Sequence, residues 1–264
     1  MEARNPLIKI YRPGRRICEF KIVLRNVPGA IAQSSELLYR HGINILSGFQ
    51  EARDELFNWT FIADLTESEV ESKELIEELE RLDKVVTVKC SEPKIEHLII
   101  DNLHFPLIAQ GERSLIFRSA TLNGIMRTIR DIVGRDAGNI IIYQLGVRAG
   151  EDKIRHLKEY YKEFAPRDIL DIALMERCVK GWCIAEIMSL DEYSYTAEIR
   201  AKGLFECVQP STQRMDRQGS HFFRGYIAGL LTALWDRKIS VEEVECMSRG
   251  KEACIFKAAP IRIE

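Results

Sequence analysis

The residues best suited to chemistry form one short pattern near the carboxyl end, Glu243-x-x-Cys246-x7-Cys254. The two thiols are predicted on the two arms of a hairpin with its turn at Arg249-Gly250, where cross-strand neighbours lie about 4.5 to 5.5 Å apart. An extended strand would place Glu243 and Cys246 on opposite faces, so a bulge near Glu245 is expected. Thiolate and carboxylate ligands suit tetrahedral zinc. The alternative is that the cysteines pack as small buried hydrophobic residues.

The last helix is predicted to start at about residue 219 and to run to about residue 235. Ser220 and His221 lie at this start, and an imidazole is an ordinary zinc ligand. His221 can instead be a hydrogen-bonded structural residue. Cys207, on a strand predicted from 204 to 208, is another candidate donor. The pattern by itself gives Glu243, Cys246 and Cys254 as candidate metal-binding residues.

Local patterns in the first third of the chain predict a βαββαβ unit over residues 17–92. Residues 19–25 alternate as a strand does, Pro28-Gly29 opens a helix that stops at Gly42, and two strands follow at 43–48 and 56–65. Thr66 and Glu69 form a capping box, which predicts a second helix through residue 81 before a last strand at 85–90. This order is typical of a ferredoxin-like sheet with both helices on one face.

The turn and the first helix of this unit resemble the ACT domain, a regulatory module that typically binds amino acids. The matching stretches are Asn26-Val27-Pro28-Gly29-Ala30-Ile31-Ala32 and His41-Gly42-Ile43-Asn44-Ile45. The resemblance implies a ligand held against backbone amides at Asn26, Val27, Pro28, Gly29 and Ala30, usually between two such domains. Asn26 replaces a common Asp and lacks the counter-charge for an ammonium group. The alternative is a unit that only dimerises.

Residues 93–111 are predicted to be a linker with a short lead-in strand, and residues 112–260 a second domain. Helical periodicity at 119–134, about 139–164 and 167–180 is followed by strand patterns at 182–189, 193–201 and 204–208. The last helix and a strand pair at 240–247 and 253–258 complete this α+β domain.

The second domain resembles the 4-vinyl reductase-type (V4R) domain, which shares a fold with the TRAPP trafficking subunits. The matching residues are Gly138, the run from Ser220 to Gly229, the run from Val241 to Cys246, Gly250, and Cys254-Ile255-Phe256. The family includes the sensor domains of phenol- and toluene-responsive transcription activators. The resemblance implies a structural zinc held by Glu243, Cys246, Cys254 and a third cysteine, at whose position this chain carries Ser220. His221 is adjacent to Ser220 and can complete the shell, so the predicted metal-binding residues are Glu243, Cys246, Cys254 and His221.

A chamber for an apolar or aromatic ligand is expected between the early helices and the strands of the second domain. Aromatic residues that can line it are Trp182, Phe205, Phe222 and Tyr226. The same residues are equally suited to an ordinary core.

Composition excludes several functional classes. A net charge of -2 over 264 residues offers no general electrostatic attraction for nucleic acid, and an apolar membrane-spanning run is missing from the sequence. Seven cysteines, an odd number, favour reduced thiols and a cytoplasmic location.

These features favour a small-molecule sensor that is not an enzyme, acts as a homodimer and passes its signal to a protein partner. One alternative is a reductase acting on a vinyl-bearing tetrapyrrole, although the sequence shows no dinucleotide fingerprint. Another is a non-catalytic assembly subunit.

Overall fold

The computed structural model describes residues 9–109, 111–208 and 219–261, together with residues 2, 3 and 5. The chain divides into two compact units, Met1–Leu115 and Ile116–Glu264.

The N-terminal unit is an antiparallel sheet with two helices. Its elements are β1 (Lys9–Tyr11), β2 (Ile17–Arg25), α1 (Ala30–Arg40), β3 (Asn44–Arg53), β4 (Leu56–Asp64), α2 (Ser72–Glu80), β5 (Val85–Ser91), β6 (Leu98–Ile100), β7 (Ile108–Ala109) and β8 (Glu112–Arg113). The main sheet has the order β3-β4-β2-β5, with every neighbouring pair antiparallel. This is the ferredoxin-like order, so the predicted βαββαβ fold is confirmed.

Alternation along β2 separates two apolar layers. Phe20, Ile22 and Leu24 are fully buried in the core shared with α1 and α2. Ile17 and Glu19 point to the opposite face because successive strand residues alternate. Both faces of the central strand are therefore buried.

The opposite face is covered by segments that the sequence patterns left as tail and linker. β1 pairs with β6, and Ile99 of β6 packs with Ile17 and Ile62 of the main sheet. The expected polar tail thus forms a strand, because its partner lies almost ninety residues further along the chain.

The second helix of this unit begins later than the capping-box pattern predicts. Thr66 donates its hydroxyl and its backbone N–H to Asp64 at 2.5 and 3.0 Å. This local turn competes with helix capping. The helix α2 starts at Ser72, with Glu71 preceding it in an extended conformation.

The C-terminal unit combines long helices with a second antiparallel sheet. Its elements are α3 (Ser119–Val133), α4 (Arg135–Tyr160), α5 (Pro166–Val179), β9 (Ile184–Asp191), β10 (Thr196–Lys202), α6 (His221–Trp235), β11 (Ile239–Glu245) and β12 (Cys254–Pro260). The sheet order is β11-β12-β10-β9, which confirms the predicted α+β class.

Glycines allow α4 and α6 to approach closely. Gly146 and Gly150 on α4 face Gly225 and Gly229 on α6, each pair separated by one helical turn. A Cβ at any of these positions would overlap backbone atoms of the other helix. The close contact positions the start of α6, where the candidate site lies.

The predicted strand at 204–208 is wrong. These residues form a turn in which the N–H groups of Cys207 and Val208 both donate to the Leu204 carbonyl, at 2.8 and 2.9 Å. The apolar residues of this segment, Leu204, Phe205 and Cys207, are buried in the core beneath the turn. Among the helices of the described ranges, none is long and apolar enough to cross a membrane.

Candidate metal centre and aromatic cluster

Three thiols and one carboxylate of the C-terminal unit converge on one point. The Sγ atom of Cys207 lies 3.6 Å from that of Cys246 and 3.6 Å from that of Cys254. The Sγ atoms of Cys246 and Cys254 are 4.0 Å apart. One carboxylate oxygen of Glu243 lies with them, all four ligand atoms being within 4.8 Å of one another. We call Cys207, Glu243, Cys246 and Cys254 the thiol-carboxylate cluster.

The sulfur spacing fits a tetrahedral zinc ion. Zn–S bonds of about 2.3 Å at tetrahedral angles place sulfurs about 3.8 Å apart. The three observed separations of 3.6, 3.6 and 4.0 Å bracket that value. Three cysteines and one carboxylate also supply a complete four-ligand shell, so the residues present fit a structural zinc.

The hairpin carries two of these thiols in the way the sequence pattern predicts. The pairing of β11 with β12 shifts register between Glu243 and Glu245, which is where a bulge was expected. Cys246 follows the bulge, a 3-10 turn ends at Gly250 with a φ of 86°, and Cys254 opens β12. The bulge lets Glu243 and Cys246 face one point.

Ser220 orients the carboxylate of the cluster. Its hydroxyl donates to Glu243 Oε1 at 2.5 Å, and its backbone N–H donates to Oε2 at 3.0 Å. Burial raises the pKa of Glu243, while these bonds oppose the rise. Such outer hydrogen bonds are how proteins aim a metal ligand.

Hydrogen bonds within the cluster favour ionisation of one of its three thiols. Hydrogen bonds from Cys207 and Cys254 lower the pKa of Cys246, and the same donation raises the pKa of Cys207. Ser248 Oγ lies 3.1 Å from Cys246 Sγ, and the N–H of Met247 donates to Cys254 Sγ at 3.4 Å. One thiolate is thus stabilised by its neighbours, whereas full ionisation of all three needs a cation.

His221 does not belong to this group of four. Its Nδ1 lies 3.3 Å from Arg224 Nη2, one turn further along α6. Cys207 supplies the additional thiol instead, from the turn that precedes residues 209–218, which lie outside the described ranges.

The predicted chamber residues form a second cluster. Trp182 contacts three other rings, with centroids 5.8 Å from Phe205, 5.5 Å from Phe222 and 5.4 Å from Tyr226. Phe205 and Phe222 are 6.3 Å apart. We call these four residues the aromatic cluster.

Buried polar atoms lie against the aromatic cluster. The guanidinium of Arg177 sits 4.6 Å from the Trp182 ring centroid and 5.1 Å from that of Tyr226. Arg177 also donates to Glu176 at 3.0 Å. The Tyr226 hydroxyl is buried and, among the described residues, has no hydrogen-bond partner. An unsatisfied buried hydroxyl is costly, typically by about 1–3 kcal/mol.

One short segment joins the two clusters. Phe205 belongs to the aromatic cluster, Cys207 belongs to the thiol-carboxylate cluster, and Glu206 between them accepts the N–H groups of Phe222 and Phe223 at 3.0 and 2.7 Å. Glu206 therefore caps α6, where a negative charge is favoured. Burial nevertheless raises its pKa to about 7.

The predicted ligand turn of the N-terminal unit lies between β2 and α1. Gly29 has a φ of 81° and precedes the first helical residue, Ala30. The amide of Asn26 donates to the Asp54 carbonyl at 3.0 Å. Lys84 Nζ donates to the Pro28 carbonyl at 3.4 Å, so a positive charge stands beside the turn. Val27 is half exposed.

The C-terminal unit is an α+β domain that positions the thiol-carboxylate cluster. Residues 203–260 match the V4R domain family, which confirms the resemblance found in the sequence. Among curated proteins, none matches this chain.

Solved structures of both kinds of domain are similar to this chain. The phenol-responsive sensory domain of the transcription activator PoxR with phenol is 18% identical, covers 57% of this chain and 78% of its own, and has a TM-score of 0.50. A vinyl-4-reductase family protein from Methanocaldococcus jannaschii is 19% identical, covers 56% of this chain and 85% of its own, and has a TM-score of 0.35. The ACT domain of the GTP pyrophosphokinase of Chlorobium tepidum is 18% identical, covers 29% of this chain and 99% of its own, and has a TM-score of 0.25.

Sequence patterns missed two residues that organise the site. The sequence pattern around Cys207 indicates a strand, so Cys207 is predicted only as an additional candidate metal ligand. No sequence pattern indicates a role for Glu206. A Glu-Cys pair shortly after a strand, in a chain that already shows two spaced cysteines, is the signal available for both.

Proposed function

We propose that this protein is a non-catalytic small-molecule sensor whose C-terminal unit binds a hydroxylated aromatic compound beside a structural zinc. The observation that carries the proposal is the continuous segment from Phe205 to Cys207, which joins the aromatic cluster to the thiol-carboxylate cluster. A ligand that displaces Phe205 would also move the backbone of Cys207, the proposed zinc ligand two residues further along the chain.

The buried hydroxyl of Tyr226 favours a ligand with a polar group. An aromatic hydroxyl placed at Tyr226 would satisfy its hydrogen bond, and the surrounding rings would bury the aromatic body. The PoxR sensory domain, which shares this fold, is described as phenol-responsive. Phenol is therefore the first compound to test.

In the N-terminal unit we propose an amino-acid-like ligand at residues 26–30. Lys84 and the first turn of α1 would favour its carboxylate, since both carry positive charge. Asn26 is neutral and already donates to Asp54. We further propose a cytoplasmic homodimer that acts through a protein partner, without direct nucleic-acid binding.

The binding test measures the affinity for phenol by isothermal titration calorimetry. Tyr226→Phe removes only the hydroxyl, and Tyr195→Phe is the matched control because Tyr195 packs against Trp235 instead. Loss of one hydrogen bond of about 1.4 kcal/mol predicts a roughly tenfold rise in Kd for Tyr226→Phe. Equal phenol binding by both variants and the parent would contradict the proposal.

Native mass spectrometry of protein purified without added ligand separates the alternatives. A retained organic small molecule supports sensing. A redox cofactor would favour the tetrapyrrole reductase, and an empty dimer would favour the assembly subunit.

A further inference from the structure

The central strand of the N-terminal sheet carries a buried carboxylate. Glu19 is 0% exposed and lies on the face of β2 that points away from α1 and α2. Neither of its oxygens makes a hydrogen bond of ordinary geometry with another described residue. A buried ionised carboxylate without a partner is strongly disfavoured.

Elsewhere in the chain a buried carboxylate is fully paired. Glu176 in the C-terminal unit accepts from Lys153 at 2.6 Å and from Arg177 at 3.0 Å. Within the described ranges, neither Glu19 nor its neighbour Asp101 forms an ion pair with a lysine or arginine. Burial, followed by the charge of Asp101, raises the pKa of Glu19 to about 7.

Two further ligand-type side chains reach Glu19 from the segment after β6. Asp101 and His104 each bring one ligand atom, and with Glu19 the three atoms lie within 4.8 Å of one another. Nδ1 of His104 is 2.9 Å from Asp101 Oδ1, and its Nε2 is 3.2 Å from the Thr60 hydroxyl. A hydrogen bond from Nε2–H to Thr60 would leave Nδ1 free to bind a cation.

We propose that Glu19, Asp101 and His104 bind a divalent first-row transition-metal ion such as Mn²⁺. Two carboxylate oxygens and one imidazole suit such an ion, and carboxylates in particular accept Mn²⁺. The cation supplies positive charge beside Glu19, where a protonated His104 is the alternative source among the described side chains. This site is separate from the thiol-carboxylate cluster, which belongs to the other unit.

The ion would fasten one segment onto the sheet. Asp101 and His104 follow directly after β6, whose Ile99 packs on Ile17 and Ile62. Glu19 belongs to the sheet itself. Metal binding therefore stabilises residues 98–104 against the face opposite the helices, in the stretch that precedes the C-terminal unit in sequence.

The test uses the full chain, loaded with one equivalent of zinc and freed of excess zinc, so that the thiol-carboxylate cluster, whose thiolates prefer zinc, is occupied and the Glu19 site is left open. Mn²⁺ is then titrated, and free Mn²⁺ is followed by its paramagnetic resonance signal. We expect one Mn²⁺ per chain and a rise in Tm on binding. Glu19→Gln abolishes both effects. Glu78→Gln keeps both, because Glu78 lies in the same unit outside the proposed site and pairs with His41 at 2.8 Å.

Asp101→Asn provides a second variant in case Glu19→Gln does not fold, and it is expected to lose Mn²⁺ in the same way. Two results would overturn the proposal. The first is Mn²⁺ binding that persists in both variants. The second is a parent protein that binds no Mn²⁺, and greater stability of Glu19→Gln would then indicate that Glu19 carries a proton rather than facing a metal.

Discussion

The zinc proposed for the thiol-carboxylate cluster would need a fourth ligand, whose identity can be tested by mutation. The sulfur separations point to Cys207 for this role. Cys207→Ser is therefore expected to lose bound zinc. His221→Ala is expected to keep it, because the His221 ring lies toward Arg224 instead.

The size of the effect follows from linkage. With free zinc at about a thousand times Kd, binding stabilises the folded state by about 4 kcal/mol. For a unit of about 150 residues this corresponds to a rise in Tm of about 8 to 16 °C. Removal of zinc by a chelator should lower the Tm of the parent by that amount and leave Cys207→Ser almost unchanged.

Elemental analysis and thermal denaturation of the same samples measure both quantities. Cys178→Ser is the matched control, because Cys178 lies on α5 outside the cluster. Ser220→Ala should weaken zinc affinity by about 10- to 100-fold, since it removes a hydrogen bond to the ligand Glu243. Zinc retained by Cys207→Ser and lost from His221→Ala would refute the reasoning.

Three further predictions concern packing, pH and assembly. Gly225→Ala should destabilise by about 1–3 kcal/mol or more, because its Cβ would overlap the Tyr143 carbonyl. Gly124→Ala, in open space on α3, should stabilise by up to about 1 kcal/mol in the same urea titration, and similar effects of the two would contradict the close helix contact. Burial opposes ionisation of Asp64, but hydrogen bonds from Thr66 lower its pKa overall, so its contribution to stability is present at neutral pH and is lost as the pH falls through the lowered pKa. Thr66→Ala should therefore cost about 1 kcal/mol at pH 7 and progressively less at acid pH, and a cost independent of pH would exclude the Asp64 interaction. Light scattering should show a homodimer at micromolar concentration, and a monomer would count against the proposed assembly.

Local sequence patterns predicted the order of the elements in the main sheet of the N-terminal unit. Alternation along β2 and the turn at Pro28-Gly29 depend on residues close in sequence, so their periodicity is readable directly. The same holds for the hairpin of Cys246 and Cys254, where the ligands lie eight residues apart. The bulge between Glu243 and Glu245 also follows from a local requirement, that both side chains face one point.

Local sequence patterns do not predict contacts between residues that are far apart in the chain. Cys207 meets Cys246 across 39 residues, and a compact turn, not a strand, brings it there. The residues from Lys9 to Tyr11 form a strand only because β6 pairs with them. Apolar alternation in a short segment does not distinguish a strand from a packed turn, since both bury every second side chain.

Patterns within the sequence were sufficient to predict an α+β fold, a ferredoxin-like unit, the resemblance to the V4R domain and the Glu-Cys-Cys hairpin. The position of Cys207 in the thiol-carboxylate cluster and the contact of His104 with Glu19 became visible only in the folded chain. The physical reason is that periodicity and turn chemistry act over a few residues, whereas ligand convergence depends on where distant elements pack.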